Sequence, residues 1–278
     1  VAIFAVGDVH GCFSTFKRLL RRLTSESQFR LGQDQLWLTG DLINRGPDSL
    51  GMLRWVIEHQ TSIQTVMGNH ELQLLARIAE LVPPGPHDTL DPILAAPDRT
   101  DLVNWIKALP FVQVEGPYTM VHAGLWPTWE INDLKRLAKE CADLLQTDSW
   151  ISVIDRWRNS QPTGWNESLT GPDRLATLMA IMTGIRTVAT SPLRLNNRYK
   201  GGLTRLPEGV IPWHREGVWK TTPNLLITGH WAQQGLLLTP QLVGLDTGCA
   251  HHGLLTAIRL PDRALFQEPF GEQTVHDS

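Results

Sequence analysis

Cysteine is scarce in this chain of 278 residues: Cys12, Cys141 and Cys249 are odd in number and form no CxxC pair. Neither a disulfide framework nor a zinc knuckle is indicated. No apolar run approaches the ~20 residues of a membrane span, so no membrane partner is expected. Residues 1–6 run straight into a polar motif, with no basic segment and cleavage site before them, and a cytoplasmic location is the expectation. Excess positive charge is missing as well: the net of −3 argues against stable DNA binding. Low-complexity tracts are absent. A hydrophobic fraction of 42% with 19% charged residues is that of a globular protein with a real core.

The charge that is present is unevenly spread. Between Asp155 and Lys220 there are ten Lys/Arg and five Asp/Glu, a local net of +5, which leaves −8 for the rest. A basic segment on an acidic body suits a cover over an anionic ligand, although a solvated charged surface explains the same numbers.

Several apolar runs end on residues that can ligate metals. Residues 1–6 lead into Gly7-Asp8-Val9-His10-Gly11, residues 36–39 into Gly40-Asp41 with Asn44-Arg45-Gly46 beyond, and residues 63–67 into Gly68-Asn69-His70-Glu71. Later runs end on His122 and on Gly229-His230. The first three are each followed by apolar residues at helical spacing, such as Phe16, Leu19, Leu20 and Leu23 behind Ser14, a candidate N-cap. Strand, loop and helix in that order argue for βαβ units, whose ligands collect at the carboxyl ends of the strands. A small helical insertion is expected over 88–110 and a long helix over 131–145. Residues 146–222 read as a mostly helical cap, and strands over 242–245, 254–260 and 264–267 suit a second sheet packed on the first. The expected division is therefore 1–145 as the N-terminal half of the core, 146–222 as the cap and 223–278 as strands completing the core.

Asp8 and His10, two apart, can point the same way from an extended segment. Asp41, closing the next strand, is the natural carboxylate to bridge two ions, and Asn69, His122 and His230 can complete the ligand set of the second ion. A mixed N/O set favours Mn, Fe, Co or Zn over Ca or Mg. Two ions side by side activate a water and clamp a phosphate for in-line displacement. Two dications, two carboxylates and a hydroxide leave the centre near +1, which attracts an anionic phosphate. An isolated Asp-x-His or Gly-Asn-His is often only a turn. Five such segments, each closing an apolar run, are hard to explain by turns.

The segments GDVHG (7–11), GDLINRG (40–46), GNHE (68–71), VHAG (121–124) and TGHW (228–231) resemble the calcineurin-like metallophosphoesterases. With WLTGDL (37–42), GHWA (229–232) and LDTGC (245–249), the likeness is nearest to the symmetrical bis(5′-nucleosyl)-tetraphosphatases of bacteria. The resemblance implies a four-layer αββα sandwich, two divalent ions (Mn²⁺, or Co²⁺) and cleavage of diadenosine tetraphosphate into two ADP. It implies Asp8, His10 and Asp41 on one ion, and Asp41, Asn69, His122 and His230 on the other. It further implies His70 as general acid and Arg45 and Arg186 as phosphate-binding residues. Related protein phosphatases carry Asp where this chain has Asn44, which cannot support an imidazolium as a carboxylate does; that suits a good leaving group such as ADP better than a phosphoserine. A protein Ser/Thr phosphatase, a non-catalytic scaffold and an enzyme removing nucleoside-tetraphosphate caps from RNA are the competing readings. Of the eleven tryptophans, Trp126 and Trp129 are the first choices for stacking a base because they follow His122.

Overall fold

The structure is a computed structural model that describes residues 1–196 and 199–272. One five-stranded sheet has the order β13 (Leu265–Pro269), β12 (Leu254–Leu260), β1 (Ile3–Val6), β2 (Gln35–Leu38) and β3 (Ile63–Thr65). A second has the order β10 (Leu237–Leu238), β11 (Leu242–Gly244), β9 (Leu225–Thr228), β5 (Tyr118–Val121) and β4 (Val112–Glu115). The strands are buried on both faces, and their side chains alternate between them with period two. Ile3, Ala5 and Trp37 meet Met120, Leu225, Ile227 and Val243 in an apolar layer between the sheets. Phe4, Val6, Leu36 and Leu38 face away from it, as does Leu226 of the other sheet.

Helices cover those outer faces. The first sheet carries α1 (Phe13–Ser27), α2 (Ser49–Glu58) and α3 (Asn69–Ile78), then the short α4 (Asp91–Leu94) and α5 (Arg99–Lys107) of the expected insertion. The helix expected over 131–145 is α6 (Ile131–Leu145), whose Leu134, Leu137, Cys141 and Leu145 form one buried stripe. The result is a four-layer αββα sandwich. Among the described residues no helix is long and apolar enough to cross a membrane.

Three local expectations need correction. The strands of the tail do not all join the second sheet: β12 lies antiparallel beside β1 and brings β13 with it, while β11 joins the other sheet beside β9. The free edge of β1 requires a partner, and the alternating Leu255, Ala257 and Thr256 of β12 supply one with two buried faces. Ser14 does not cap α1; the helix begins at Phe13 with Cys12 in the N-cap position, two residues earlier, and the Glu272 carboxylate accepts from the N–H groups of Ser14 and Thr15 instead. Residues 146–222 hold α7 (Trp150–Asn159) and α8 (Gly171–Gly184), and then a three-stranded sheet, β7 (Leu193–Asn196), β6 (Thr187–Thr190) and β8 (Val210–Pro212), that the sequence did not announce. Those strands are three or four residues long and separated by segments holding Gly and Pro, too short for an alternating pattern to register.

Candidate metal centre

Register places the loops. β1, β2 and β3 run parallel with Val6 opposite Leu38 and Leu38 opposite Thr65, so their carboxyl ends lie side by side. β5, β9 and β11 do the same in the other sheet, with Met120 opposite Ile227 and Thr228 opposite Gly244. Loops 7–11, 39–46 and 66–71 therefore meet the turns that begin at His122, Gly229 and Leu245. Backbone bonds lock them together: His10 N–H donates to the Asp41 carbonyl (2.8 Å) and Gly229 N–H to that of His122 (2.8 Å).

Within this junction Asp41 belongs to two clusters of potential ligand atoms, one with His10 and His70, the other with His122 and His230. Its Oδ2 lies 3.7 Å from His10 Nε2, 3.9 Å from His70 Nε2 and 3.4 Å from His122 Nε2. Asp8 Oδ2 is 3.9 Å from His10 Nε2, and Asn69 Oδ1 is 3.1 Å from His122 Nε2. All six residues expected as ligands thus converge on one volume. Their orientation is fixed from behind. The His122 Nδ1 donates to the Thr39 carbonyl (2.7 Å), which leaves Nε2 to face the centre. Asp8 accepts from Thr39 Oγ1 (2.9 Å) and from the His230 N–H (2.9 Å). Gly229 packs so closely on the Asp8 carboxylate that a Cβ there would overlap it. His230 Nε2 is buried with no hydrogen-bond partner among the described residues. An orphaned imidazole nitrogen in a set of carboxylates and imidazoles is what a divalent ion would satisfy, so the residues present fit the metal pair.

Two acids were missed. Glu71 is wholly buried, and its carboxylate accepts from the N–H groups of Asp41 (2.9 Å), Leu42 (2.9 Å) and Gly68 (3.0 Å). It ties the loop of Asp41 to that of Asn69 and His70. Its place in GNHE was visible, but a Glu in the first turn of a helix reads as an ordinary cap. Asp246, at the end of β11, is buried beside Asp8 and His10 and accepts from the Gly248 N–H (3.0 Å). The signal there was LDTGC closing an apolar run like the others; its Asp-Thr-Gly reads equally as a turn.

The electrostatics are those of a crowded, dry site. Burial raises Asp8, and the charges of Asp246 and Asp41 push it further. Burial would raise Asp41 too, yet His122 and His70 overcome it and hold Asp41 below the usual carboxylate range. Burial, then the neighbouring His70, lowers His10 to about 4, so it is neutral and ready to ligate. His122 goes the other way, to about 10: Asp41 and Asp8 outweigh burial. Ligation of His122 near pH 7 would release that proton. For Glu71 burial and Asp41 act to raise the carboxyl, to about 7. With three N–H donors on its two oxygens, it is placed as an ionised acceptor.

A cavity of about 800 Å³ opens over the centre. His10, Asp41, Asn69, His70, His230 and Asp246 form its floor, and Arg45 and Arg186 stand on its wall. The cap contributes Arg158, Arg194 and Lys200. Elsewhere in the cap Arg156 is paired with Asp173, and Arg174 with Glu140 (2.7 Å). Arg45, Arg158, Arg186, Arg194 and Lys200 have no carboxylate partner within ion-pair distance among the described residues. Asp246 adds a third buried acid to the two counted from the sequence, and Arg186, close enough to feel it, offsets the charge. Trp126 and Trp129 do not line this cavity; both are packed in the core. Nearness to His122 in sequence says nothing about which face of the turn a side chain takes.

These features define a class. Residues 1–189 match the model of the calcineurin-like phosphoesterases, and the chain belongs to that family. It is 39% identical over 269 residues to the symmetrical bis(5′-nucleosyl)-tetraphosphatase of Chromobacterium violaceum, covering 97% of this chain and 95% of that one. It is 40% identical to the protein of that name from Dechloromonas aromatica, covering 96% of this chain and 95% of that one. Among solved structures, a candidate diadenosine tetraphosphatase superposes with a TM-score of 0.66 at 23% identity, covering 98% and 95% of the two chains. A protein serine/threonine phosphatase from Saccharomyces cerevisiae superposes at 0.54 with 17% identity, covering 99% and 81%. Those two likenesses speak for the fold.

Proposed function

We propose that this protein hydrolyses dinucleoside tetraphosphates symmetrically, converting diadenosine tetraphosphate into two ADP in the cytoplasm. The observation that carries the reading is the set of cations above the Asp41 clusters: five positive side chains that have no carboxylate within ion-pair distance among the described residues line one cavity over a site fit for metals. A single phosphate monoester has no use for so many, whereas a chain of four phosphates does.

Asp8, His10 and Asp41 would hold one divalent ion, and Asp41, Asn69, His122 and His230 the other. Mn²⁺ is proposed, with Co²⁺ as the alternative, because the donor set mixes imidazole, carboxamide and carboxylate. When bound, such a pair supplies Lewis acidity at a phosphoryl oxygen and lowers the pKa of water. The rest belongs to the side chains. Arg45 and Arg186 hold phosphate oxygens, and the wall they form keeps the chain in line with the floor. His70 presents Nε2 beside Asp41 and offers a hydrogen bond to the oxygen that departs with ADP.

His70 Nδ1 is buried without a hydrogen-bond partner among the described residues, and burial lowers the pKa of His70. The Asn44 carboxamide oxygen accepts instead from the N–H groups of Arg45 (2.9 Å) and Thr89 (3.0 Å). Among the described residues nothing behind the ring supports an imidazolium, so a substrate whose leaving group needs little protonation is the better match. That argues against a phosphoserine substrate. His70→Ala should keep two metals and lose more turnover on an alkyl phosphate than on diadenosine tetraphosphate; equal losses would remove the argument from Asn44. Arg45→Ala and Arg186→Ala should each cost about 1.5–3 kcal/mol in kcat/KM for the tetraphosphate, the range for a hydrogen bond to a charged group. Wild-type kinetics in Arg186→Ala would show that the cap holds no phosphate there.

RNA ends capped with a nucleoside tetraphosphate carry the same phosphate chain and are the second proposed substrate. The exposed Arg158, Arg194 and Lys200 at the mouth support it, since a longer nucleic acid could leave past them. Turnover of diadenosine tetraphosphate, capped RNA and a phosphopeptide with Mn²⁺ added tests the proposal. Activity on the phosphopeptide alone would overturn it.

A further inference from the structure

Among the described residues two tryptophans line the cavity, and they differ. Trp231 is buried, and its Nε1–H donates to the Gly201 carbonyl (2.9 Å), so it fastens a cap loop to the turn of His230. Trp157, near the end of α7, is half-buried, with one part of its indole against the core and part of it left to the cavity. Pro162 and Leu195 line the same cavity, as do the basic side chains of Arg158, Arg194 and Lys200. Both α8 and α3 pack on α7, and α3 also carries His70, so the ring stands on a helix seated against the metal-bearing part of the molecule. Trp157 therefore offers a broad apolar face in a cavity that also holds these cations.

We propose that Trp157 is the platform on which one nucleobase of the substrate stacks, making it the residue that selects a nucleoside end over a bare polyphosphate. This rests on the reading that a dinucleoside tetraphosphate is the substrate. Every base has a π-face, and stacking on an aromatic side chain is tolerant of base identity. Arg194 and Lys200 are then placed to meet the phosphates that connect the base to the floor. A base held at a fixed place also sets which phosphorus lies over the centre, because the chain between the two points has a fixed number of bonds.

The test is the binding of ADP and of pyrophosphate to the Mn²⁺-loaded protein by calorimetry, in wild type, Trp157→Ala and Trp157→Phe. Stacking predicts that ADP binds about tenfold more weakly to Trp157→Ala, within the range found for loss of a stacked base. Trp157→Phe should recover most of the affinity, and pyrophosphate should bind all three alike. Unchanged ADP affinity in Trp157→Ala would overturn the proposal. So would a parallel loss of pyrophosphate, or a loss that Trp157→Phe does not recover, for the ring would then only shape the cavity. The substrate reading is judged separately, on wild-type release of ADP from diadenosine tetraphosphate. If wild type makes none, that reading fails and the platform with it; if wild type makes ADP, the variants alone decide about Trp157.

Discussion

Asp41→Asn is expected to abolish turnover on diadenosine tetraphosphate nearly completely and to remove more than one equivalent of bound metal. Among the described residues Asp41 alone takes part in both clusters of ligand atoms, and its Oδ2 lies within 4 Å of three imidazoles. A carboxylate can bridge two cations because both oxygens share the charge; a carboxamide offers one neutral oxygen and turns an N–H₂ toward the other ion. Asp41 Oδ1 also accepts from the His70 N–H (2.8 Å), so the substitution disturbs the start of α3 as well. Elemental analysis of the purified variant beside its kinetics gives the answer. Two metals retained with normal turnover would show that Asp41 is not the bridge.

The second large effect is expected at a residue that touches neither metal nor substrate. Glu71→Ala strands three buried N–H donors, those of Asp41, Leu42 and Gly68. Each unsatisfied buried donor costs about 1–3 kcal/mol. Stability should therefore fall by at least about 3 kcal/mol, or roughly 6–12 °C in Tm for a domain of this size. The loop bearing Asp41 would lose its tie to the loop bearing Asn69, and bound metal should fall with it. Glu71→Gln keeps the shape but sets an amide N–H₂ against backbone donors, so a milder loss of Tm with impaired metal retention is expected. A Glu71→Ala protein that melts like wild type and keeps two metals would refute this role.

Much of the site could be read from the chain because its residues sit where short apolar runs stop. The carboxyl ends of parallel strands are brought together by the sheet itself, so the ends of residues 1–6, 36–39 and 63–67 had to converge. What could not be read depends on long-range pairing. Nothing local in 254–260 says that β12 lies beside β1 and not in the second sheet, since both places bury the same alternation. The cap sheet was hidden by strands of three and four residues, and Trp157 by the many other tryptophans around it. Glu71 and Asp246 were hidden by adequate local explanations, a helix cap and a turn. Only the three-dimensional structure shows Glu71 bonded to a loop thirty residues away and Asp246 facing the clusters from the opposite sheet.

The symmetry of cleavage is the centre of the account, because attack at an end phosphate would also expel a reasonable leaving group and only positioning decides between them. Hydrolysis of diadenosine tetraphosphate in ¹⁸O-water, with Mn²⁺ added and the nucleotides resolved by mass, reads that positioning directly. ADP as the sole product is expected, with one ¹⁸O on a terminal phosphate in half of the ADP formed. ATP and AMP as the main products would place the attack at an end of the chain and contradict the account.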